Sequence, residues 1–356
     1  MTNQTAGLIC AHHHLYSTLA RGMPATAKTP NNFLEILQQV WWRLDAALDN
    51  EMIYWSAMLG ACEALMNGTT CIIDHHESPN CIEGSLSTIA RACKAVGVRV
   101  NVCYGVTDRW DNDGNLHSKV SPISKMTQAA QRGLAECDRY LSEGGRGMVG
   151  AHAAFTCSDE TLNAASELAA KHKTGVHIHV AEGQDDSHAG ARLENLSQDN
   201  WLLIHAVHLD RKLHGRIVHN PRSNMNNSVG YAKPSNFSNN VLLGTDGIGA
   251  DMFEEARLAY VRLREFDVTE TPDTVWSWIE NSYALFPEAK GDTVTFNYDH
   301  VDSSWHVAFT PGLTVTDVEI GGEKVLTTGL PTRVDINEVR AKAAEQAVRL
   351  HERLAS

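Results

Sequence analysis

None of the chain's eight cysteines forms a C-x-x-C pair, and all eight lie in the first half of its 356 residues. That spacing excludes a zinc ribbon and a thioredoxin motif, and it is not the framework of a disulfide-stapled domain. Several cysteines, as in TTCIID and VNVCYG, sit inside apolar runs where the thiol behaves as a small buried hydrophobe. No apolar run approaches the ~20 residues needed to cross a bilayer, so no membrane partner is expected. The amino terminus lacks a charged stretch followed by an apolar one, and the expected location is the cytoplasm. Positive charge is scarce as well: 30 Lys and Arg face 43 Asp and Glu, a formal net charge of −13. With no dense basic stripe to offset that, nucleic acid is excluded as a partner. An acidic surface suits a neutral or weakly basic small-molecule substrate, or it simply keeps the chain in solution. Internal repeats and low-complexity tracts are absent too.

What is present is alternation. Apolar residues make up 43% and charged residues 21%, enough to bury a large core. Short β-type runs fall at Gly7–Cys10, Thr70–Asp74, Arg99–Tyr104, Gly147–His152, Gly175–Val180, Trp201–His205, Arg216–His219 and Val241–Thr245. Helical periodicity fills Asn31–Leu48, Glu51–Met66, Leu86–Val96, Thr127–Leu141 and Asp159–His172. Strands alternating with helices imply parallel pairing, and eight strands fit a (β/α)8 TIM-like barrel better than an open sheet. Two connections read as abbreviated: His205 to Arg216 holds barely a helical turn, and NPRSNMNNSVGYAKPSNFSNN reads as loop. The barrel is expected over residues 1–290. Residues 291–356 read as a small, apparently incomplete β-sandwich module, with strands in DTVTFNYD, HVAFT, LTVTDVEIGG and EKVLTTG, closed by a helix over Asn337–Leu354.

The ends of the candidate strands carry the chemistry. They read His12 and His14, then Asp74-His75-His76, His152, His179, His205, His219 and Asp246. Chance placement of 18 histidines in 356 positions would not concentrate them so. In a parallel barrel all these ends open on one face, where catalytic groups collect. His12 and His14 are two apart on a strand and point to one side, so both imidazoles can reach one ion while His13 turns away. In HIHVAEG, His179 can ligate a metal while Glu182, just beyond the strand, overlooks a substrate. Asp246 in LGTDG follows an apolar strand, though such a triplet by itself also makes an ordinary turn. Three imidazoles and a carboxylate suit one divalent ion, Zn2+ or alternatively Fe2+, with a position left for water. The ion would lower that water's pKa to about 7. Asp246 would then take the water proton, Glu182 would shuttle a proton to the substrate and His205 would orient the nucleophile. Asp74, His75 and His76 read equally well as pocket lining or as a solvated mouth.

At these residues the chain resembles the amidohydrolase superfamily, in its aminohydrolase and chlorohydrolase branch. AHHHLYSTLARG is similar to that branch's A-H-x-H segment, HIHVAE to its H-x-A-E segment, IHAVHLD to its sixth-strand histidine and LGTDG to its last-strand aspartate. Further stretches (WWRLDAALD, IIDHHESP, GSLSTI, HNPRSNMNN, TDGIGADMFEE) resemble one aminohydrolase subgroup. The resemblance implies a single-metal barrel with ligands His12, His14, His179 and Asp246, and a proton-handling pair Glu182 and His205. It implies substrate contacts at His152, Arg21 and Asn224. The implied reaction is hydrolytic deamination of a purine, pyrimidine or triazine ring. The chain departs from the family where the barrel motif starts almost at Met1, in short connections around residues 183–204 and 206–216, and at Ala154, where proline is usual. A half-sandwich leaves strand edges uncovered, from which either a homodimer or a truncated chain follows.

Three functions remain open on the sequence. Deamination is favoured because a departing amine must be protonated and Glu182 is available for it. Chloride displacement or cyclic-amide opening would use the same metal and barrel. A metal-binding but catalytically silent relative is the third, distinguished by lack of turnover.

Overall fold

The structure is a computed structural model that describes residues 2–111, 113–116 and 125–355. Its strands are β1 (Gln4–Thr5), β2 (Leu8–His13), β3 (Thr69–His76), β4 (Arg99–Val106), β5 (Val149–Ala153), β6 (Val176–Val180), β7 (Leu202–His205), β8 (Arg216–His219), β9 (Val241–Leu243), β10 (Thr293–Phe296), β11 (Val315–Ile320), β12 (Glu323–Thr327) and β13 (Leu330–Pro331). Strands β2 to β9 form one eight-stranded parallel sheet in chain order. The expected parallel barrel is therefore the fold.

Closure happens at the mouth. The N–H groups of Thr245 and Asp246 donate to the His12 carbonyl at 2.9 and 3.2 Å, and a bridge pairs His13 with Asp246. This close approach explains Gly244, where an added Cβ would lie 2.8 Å from that of His12 and 2.5 Å from Asn220 Oδ1. The first and last strands thus meet at the two segments that carry His12 and Asp246.

Alternation sorts the strand residues into two cores. Ile9, Ala11, Cys71, Ile73, Leu202, Ile204, Val218 and Leu242 fill the barrel interior, and Phe286 and Ala289 pack with them. Their neighbours, including Leu8, Cys10, Ile72, Leu203 and Leu243, face the surrounding helices. Each side buries apolar area worth roughly 25 cal/mol per Å2. Among the helices are Asn50–Met66, Ser85–Val96, Gln128–Ser142 and Asp159–Lys171, close to the expected spans. The segment expected as one helix over Asn31–Leu48 is broken: Phe33–Ile36 is α-helical, Leu37–Trp41 a π-turn and Trp42–Ala47 α-helical again. Helices at Met252–Phe266 and Pro272–Asn281 complete the wall.

The second sheet runs β1-β10-β11-β12-β13, antiparallel throughout. The sequence reading starts this module at residue 291; β1 adds a strand from the other end of the chain. Both edge strands are two residues long, which leaves little unpaired backbone exposed. HVAFT, expected as a strand, belongs to helix Ser304–Phe309, where the Ser303 hydroxyl caps the Trp305 N–H. The last helix, Ile336–Ala355, is tied to the barrel by Arg349 and Arg353, which both bond to Asp49. Among the described residues, no helix is long and apolar enough to cross a membrane.

Candidate active site

The inner ends of β2, β6, β7 and the segment after β9 bring four groups together. His12, His179, His205 and Asp246 each offer a ligand atom within 4.8 Å of the others. His14 joins them: its Nε2 lies 3.0 Å from Asp246 Oδ1 and 3.3 Å from His179 Nε2. A register shift between Cys10 and His13 accompanies the inward turn of His12. His13 turns instead to the seam, with Nδ1 2.6 Å from the Asp246 carbonyl.

Hydrogen bonding behind the rings decides which nitrogen faces the centre. His14 Nδ1–H donates to the His75 carbonyl at 2.6 Å, and His179 Nδ1–H to the His152 carbonyl at 2.7 Å. A carbonyl only accepts, so each ring presents its Nε2 lone pair inward when neutral. His205 Nδ1 donates to Asn224 Oδ1 at 2.7 Å, which aims a third Nε2 lone pair the same way. His12 pairs through Nδ1 with His177 Nε2 at 2.8 Å, and its own Nε2 is 3.3 Å from Asp246 Oδ1. Burial holds His12 and His179 well below the usual imidazole range. Burial also opposes charge on His14, yet the Asp246 carboxylate outweighs it and raises His14 to about 9. Inward-facing ring nitrogens and a carboxylate so close together call for a positive charge among them, which a proton on His14 or a bound cation supplies. The donor set therefore fits a divalent metal of nitrogen- and oxygen-ligand preference.

Two carboxyl groups flank this centre and differ in character. Asp246 is held well below the carboxylate range: burial opposes its charge, but hydrogen bonds from His12 and His14 prevail. Its Oδ2 accepts from the Ser223 hydroxyl at 2.5 Å. Glu182 moves the other way, pushed well above its usual range by burial and by the Asp246 charge. Glu182 Oε2 lies 3.4 Å from His205 Nε2. The backbone pays for this placement, since Ala181, His205, Ala206 and Asp246 all have positive φ, between 48° and 69°. Such conformations cost non-glycine residues about 1–3 kcal/mol and cluster at functional sites. At Ala181 the N–H donates to buried Asp186, which fixes the turn that presents Glu182.

A cavity of about 840 Å3, counting the part open to solvent, lies over the centre. His14, His152, His179, Glu182 and Asp246 line it, and Phe33, Trp41, Trp42 and Phe155 supply aromatic walls. His152 is fixed by Nδ1 to the Thr156 hydroxyl at 2.6 Å. Two expected substrate contacts are elsewhere. Arg21 is exposed and paired with both Glu63 oxygens at 3.0 Å, outside the cavity. Asn224 is buried behind His205 and orients that ring rather than lining the cavity. Asp74, His75 and His76 are neither lining nor solvated: all three are buried beneath the mouth, and Asp74 Oδ1 accepts the Leu15 N–H at 2.7 Å.

The sequence reading missed two features. Helix Pro221–Asn226 lies in the stretch read as loop and delivers Ser223 and Asn224 to Asp246 and His205. Fully buried Arg109 bridges Asp45 and Glu77, both on the cavity wall, with its guanidinium 5.0 Å from the Trp42 ring and 5.1 Å from Trp110. Asp45 and Glu77 lie within the quoted WWRLDAALD and IIDHHESP, so their position was visible but their role was not.

Residues 4–279 match the model of the amidohydrolase family. The chain belongs to that family. This amidohydrolase is 28% identical to a 5'-deoxyadenosine deaminase of Methanopyrus kandleri, over 97% of its own length and 86% of the relative's. It is 28% identical to a 5-methylthioadenosine/S-adenosylhomocysteine deaminase of Desulforamulus reducens, covering 70% of this chain and 59% of that one. Its fold matches a zinc-bound adenosine deaminase from Xanthomonas campestris with a TM-score of 0.80 at 22% identity, over 98% and 86% of the two chains. It also matches a zinc-complexed atrazine chlorohydrolase from Arthrobacter aurescens with a TM-score of 0.79 at 18% identity, over 97% and 88%.

Proposed function

We propose that this amidohydrolase is a metal-dependent aminohydrolase that removes the amino group of a small nitrogen heterocycle, with adenine nucleosides the leading candidates. One observation carries the reading: Glu182 faces the cavity beside the metal-ligand cluster, with its Oε2 3.4 Å from His205 Nε2. A departing amine and a ring nitrogen need protons, and Glu182 is placed to hand one over. The relatives that act on 5'-deoxyadenosine and 5-methylthioadenosine support the substrate class.

In this reading His12, His14, His179 and Asp246 hold one Zn2+, and His205, held by Asn224, stands behind the reacting position. A divalent ion there supplies a water whose pKa drops to about 7. Asp246 Oδ2 takes the proton of the attacking water, and the Ser223 hydroxyl keeps that oxygen aimed. Glu182 delivers its proton to the ring nitrogen beside the attacked carbon, and the water proton held by Asp246 passes to the leaving amine. His152 lines the wall as a neutral group, since burial and Arg109 keep it well below the usual range. Zinc is preferred to iron because two structural relatives carry it. Eight free cysteines, seven of them buried, fit a reducing compartment, and we place the protein in the cytoplasm. A homodimer through the exposed Trp305 and Phe309 of the small module belongs to the same proposal.

Glu182→Gln tests the carrying observation. Turnover should fall by at least ~100-fold, the scale of lost general acid–base catalysis, while metal content stays at the wild-type level. Near-normal turnover in that variant removes Glu182 from the mechanism.

A further inference from the structure

His177 lies one layer below His179 on β6 and on the same inward face, since residues two apart on a strand point to one side. Its cross-strand neighbour is Leu202, and that of His179 is Ile204, both in the barrel interior. Apolar side chains such as Ala11, Ile73 and Val218 fill much of that interior, and an imidazole is costly among them unless its polar atoms find partners. His177 is fully buried with Nε2 2.8 Å from His12 Nδ1, and its Nδ1 has no hydrogen-bond partner among the described residues. An aliphatic side chain would fill the space without leaving a polar atom unpaired.

The rings of the ligand set are held from behind by different kinds of partner. His14 and His179 lean on backbone carbonyls, which only accept. His12 alone among the three leans on another imidazole, which can either donate or accept. For His12 to offer its Nε2 lone pair inward, its proton must sit on Nδ1, and His177 must receive that hydrogen bond at Nε2. A neutral His177 then carries its own proton on Nδ1. His75 and Cys103, both fully buried, offer side-chain atoms within 4.8 Å of a His177 ring nitrogen and of each other. The His75 and His177 rings meet edge to face at 4.9 Å.

We infer that His177 is a positioning residue for the metal centre: it accepts the His12 Nδ1 proton, which keeps the His12 Nε2 lone pair aimed at the ion, and holds its own proton on Nδ1 beside His75 and Cys103. This rests on the reading of His12 as a metal ligand, and on nothing about the bond that is hydrolysed. The same assignment decides what the inner trio cannot do. His75, Cys103 and His177 by themselves would suit a second, thiolate-bound ion. A neutral imidazole has one ring-nitrogen lone pair, and the hydrogen bond from His12 occupies that of His177. His177 therefore cannot serve as a ligand in the inner trio while His12 serves in the outer set.

Nitrogen NMR of zinc-loaded protein with isotope-labelled histidine reads the tautomers directly, and coupling across the N–H···N bond identifies the pair. The expected spectrum has His12 with its proton on Nδ1 and its Nε2 on zinc, and His177 with its proton on Nδ1. His12 Nε2 on zinc while His177 keeps its proton on Nε2 overturns the role of His177 alone. Zinc binding that leaves the His12 Nε2 signal unchanged removes His12 from the ligand set and ends the inference with it. Ammonia release by the same sample, beside either contrary spectrum, would keep the deaminase reading and still end the role of His177. Competition with a chelating dye gives a second measurement. His177→Leu should bind zinc at least ~10-fold more weakly than wild type, the scale of losing the partner behind a ligand. His177→Gln, whose side-chain carbonyl can accept from His12, should recover part of that loss. Wild-type affinity in folded His177→Leu overturns the inference, and if that variant does not fold the wild-type spectrum decides. Zinc titration of the wild type should end at one equivalent per chain. A second tight equivalent, lost in both Cys103→Ala and His177→Gln, would make His177 a ligand of the inner trio and overturn its role behind His12.

Discussion

Glu182 and Asp246 face one cavity, yet they hold their protons oppositely. Hydrogen bonds from His12 and His14 keep Asp246 ionised, while Glu182 has only the Asn227 side chain to set against burial and the Asp246 charge. Sequence could place both at strand ends but could not assign their states, because those depend on neighbours far away in the chain. The same limit explains Arg21 and Asn224. Both were assigned by motif position, yet Arg21 found Glu63 and Asn224 found His205. One ligand assignment can be decided by metal analysis. His14→Ala should lose tightly bound metal, whereas His205→Ala should retain it, because His205 is held as a proton-handling group. Loss in His205→Ala with retention in His14→Ala would exchange the two roles. Asp74 gives a pH-dependent expectation. Burial lifts it to about 7 from an ordinary 3.8, so the folded state holds its proton more tightly than the unfolded chain. Its contribution to stability is then fully present below about pH 4 and lost as pH rises through 7. Asp74→Asn keeps an acceptor for the Leu15 N–H and should raise the thermal midpoint relative to wild type at pH 8. The two should converge near pH 4. An unchanged difference across that range would show that Asp74 does not titrate as described.

Elements with strong apolar alternation were legible from sequence, and those held by polar contacts were not. The barrel strands announce themselves as apolar runs ending in histidine or aspartate, and Arg216–His219 coincides with β8 residue for residue. Helix Pro221–Asn226 has no apolar stripe; side-chain bonds from Ser223 and Asn224 tie it to the site, and no local pattern reports those. HVAFT alternates like a strand, but the Ser303 cap and packing beside Met252–Phe266 make it a helix. That neighbouring helix carries its own sequence signal, with Asp251 capping Phe253 and Glu254 ahead of a periodic apolar face. Barrel closure supplies the expectation at this scale. Gly244→Ala would push a methyl group against His12 and Asn220 at the seam, costing about 1–3 kcal/mol as overpacking does. The damage should also reach metal binding, because the same seam sets His12 against Asp246. Denaturant unfolding and metal titration would check both, and an alanine variant as stable as wild type would show that the seam tolerates movement.

Across the whole molecule the fold and the identity of the site follow from distributed signals, and the substrate does not. A charge of −13 said only that anionic polymers are poor partners. The stretches beyond the strands hold functional parts: the turn after β6 presents Glu182, and helix Pro221–Asn226 after β8 supplies Ser223 and Asn224. The small sheet, which looked half-missing, recruits β1 and ends in two-residue edges. The account's central claim is catalytic, and ammonia release tests it most directly. Zinc-loaded protein would be incubated with 5'-deoxyadenosine, other aminopurines, aminopyrimidines and aminotriazines, with Asp246→Asn as the blank. Ammonia from the wild type alone is the expected result. Stoichiometric zinc with no ammonia from any compound, or equal release from the Asp246→Asn blank, would contradict it.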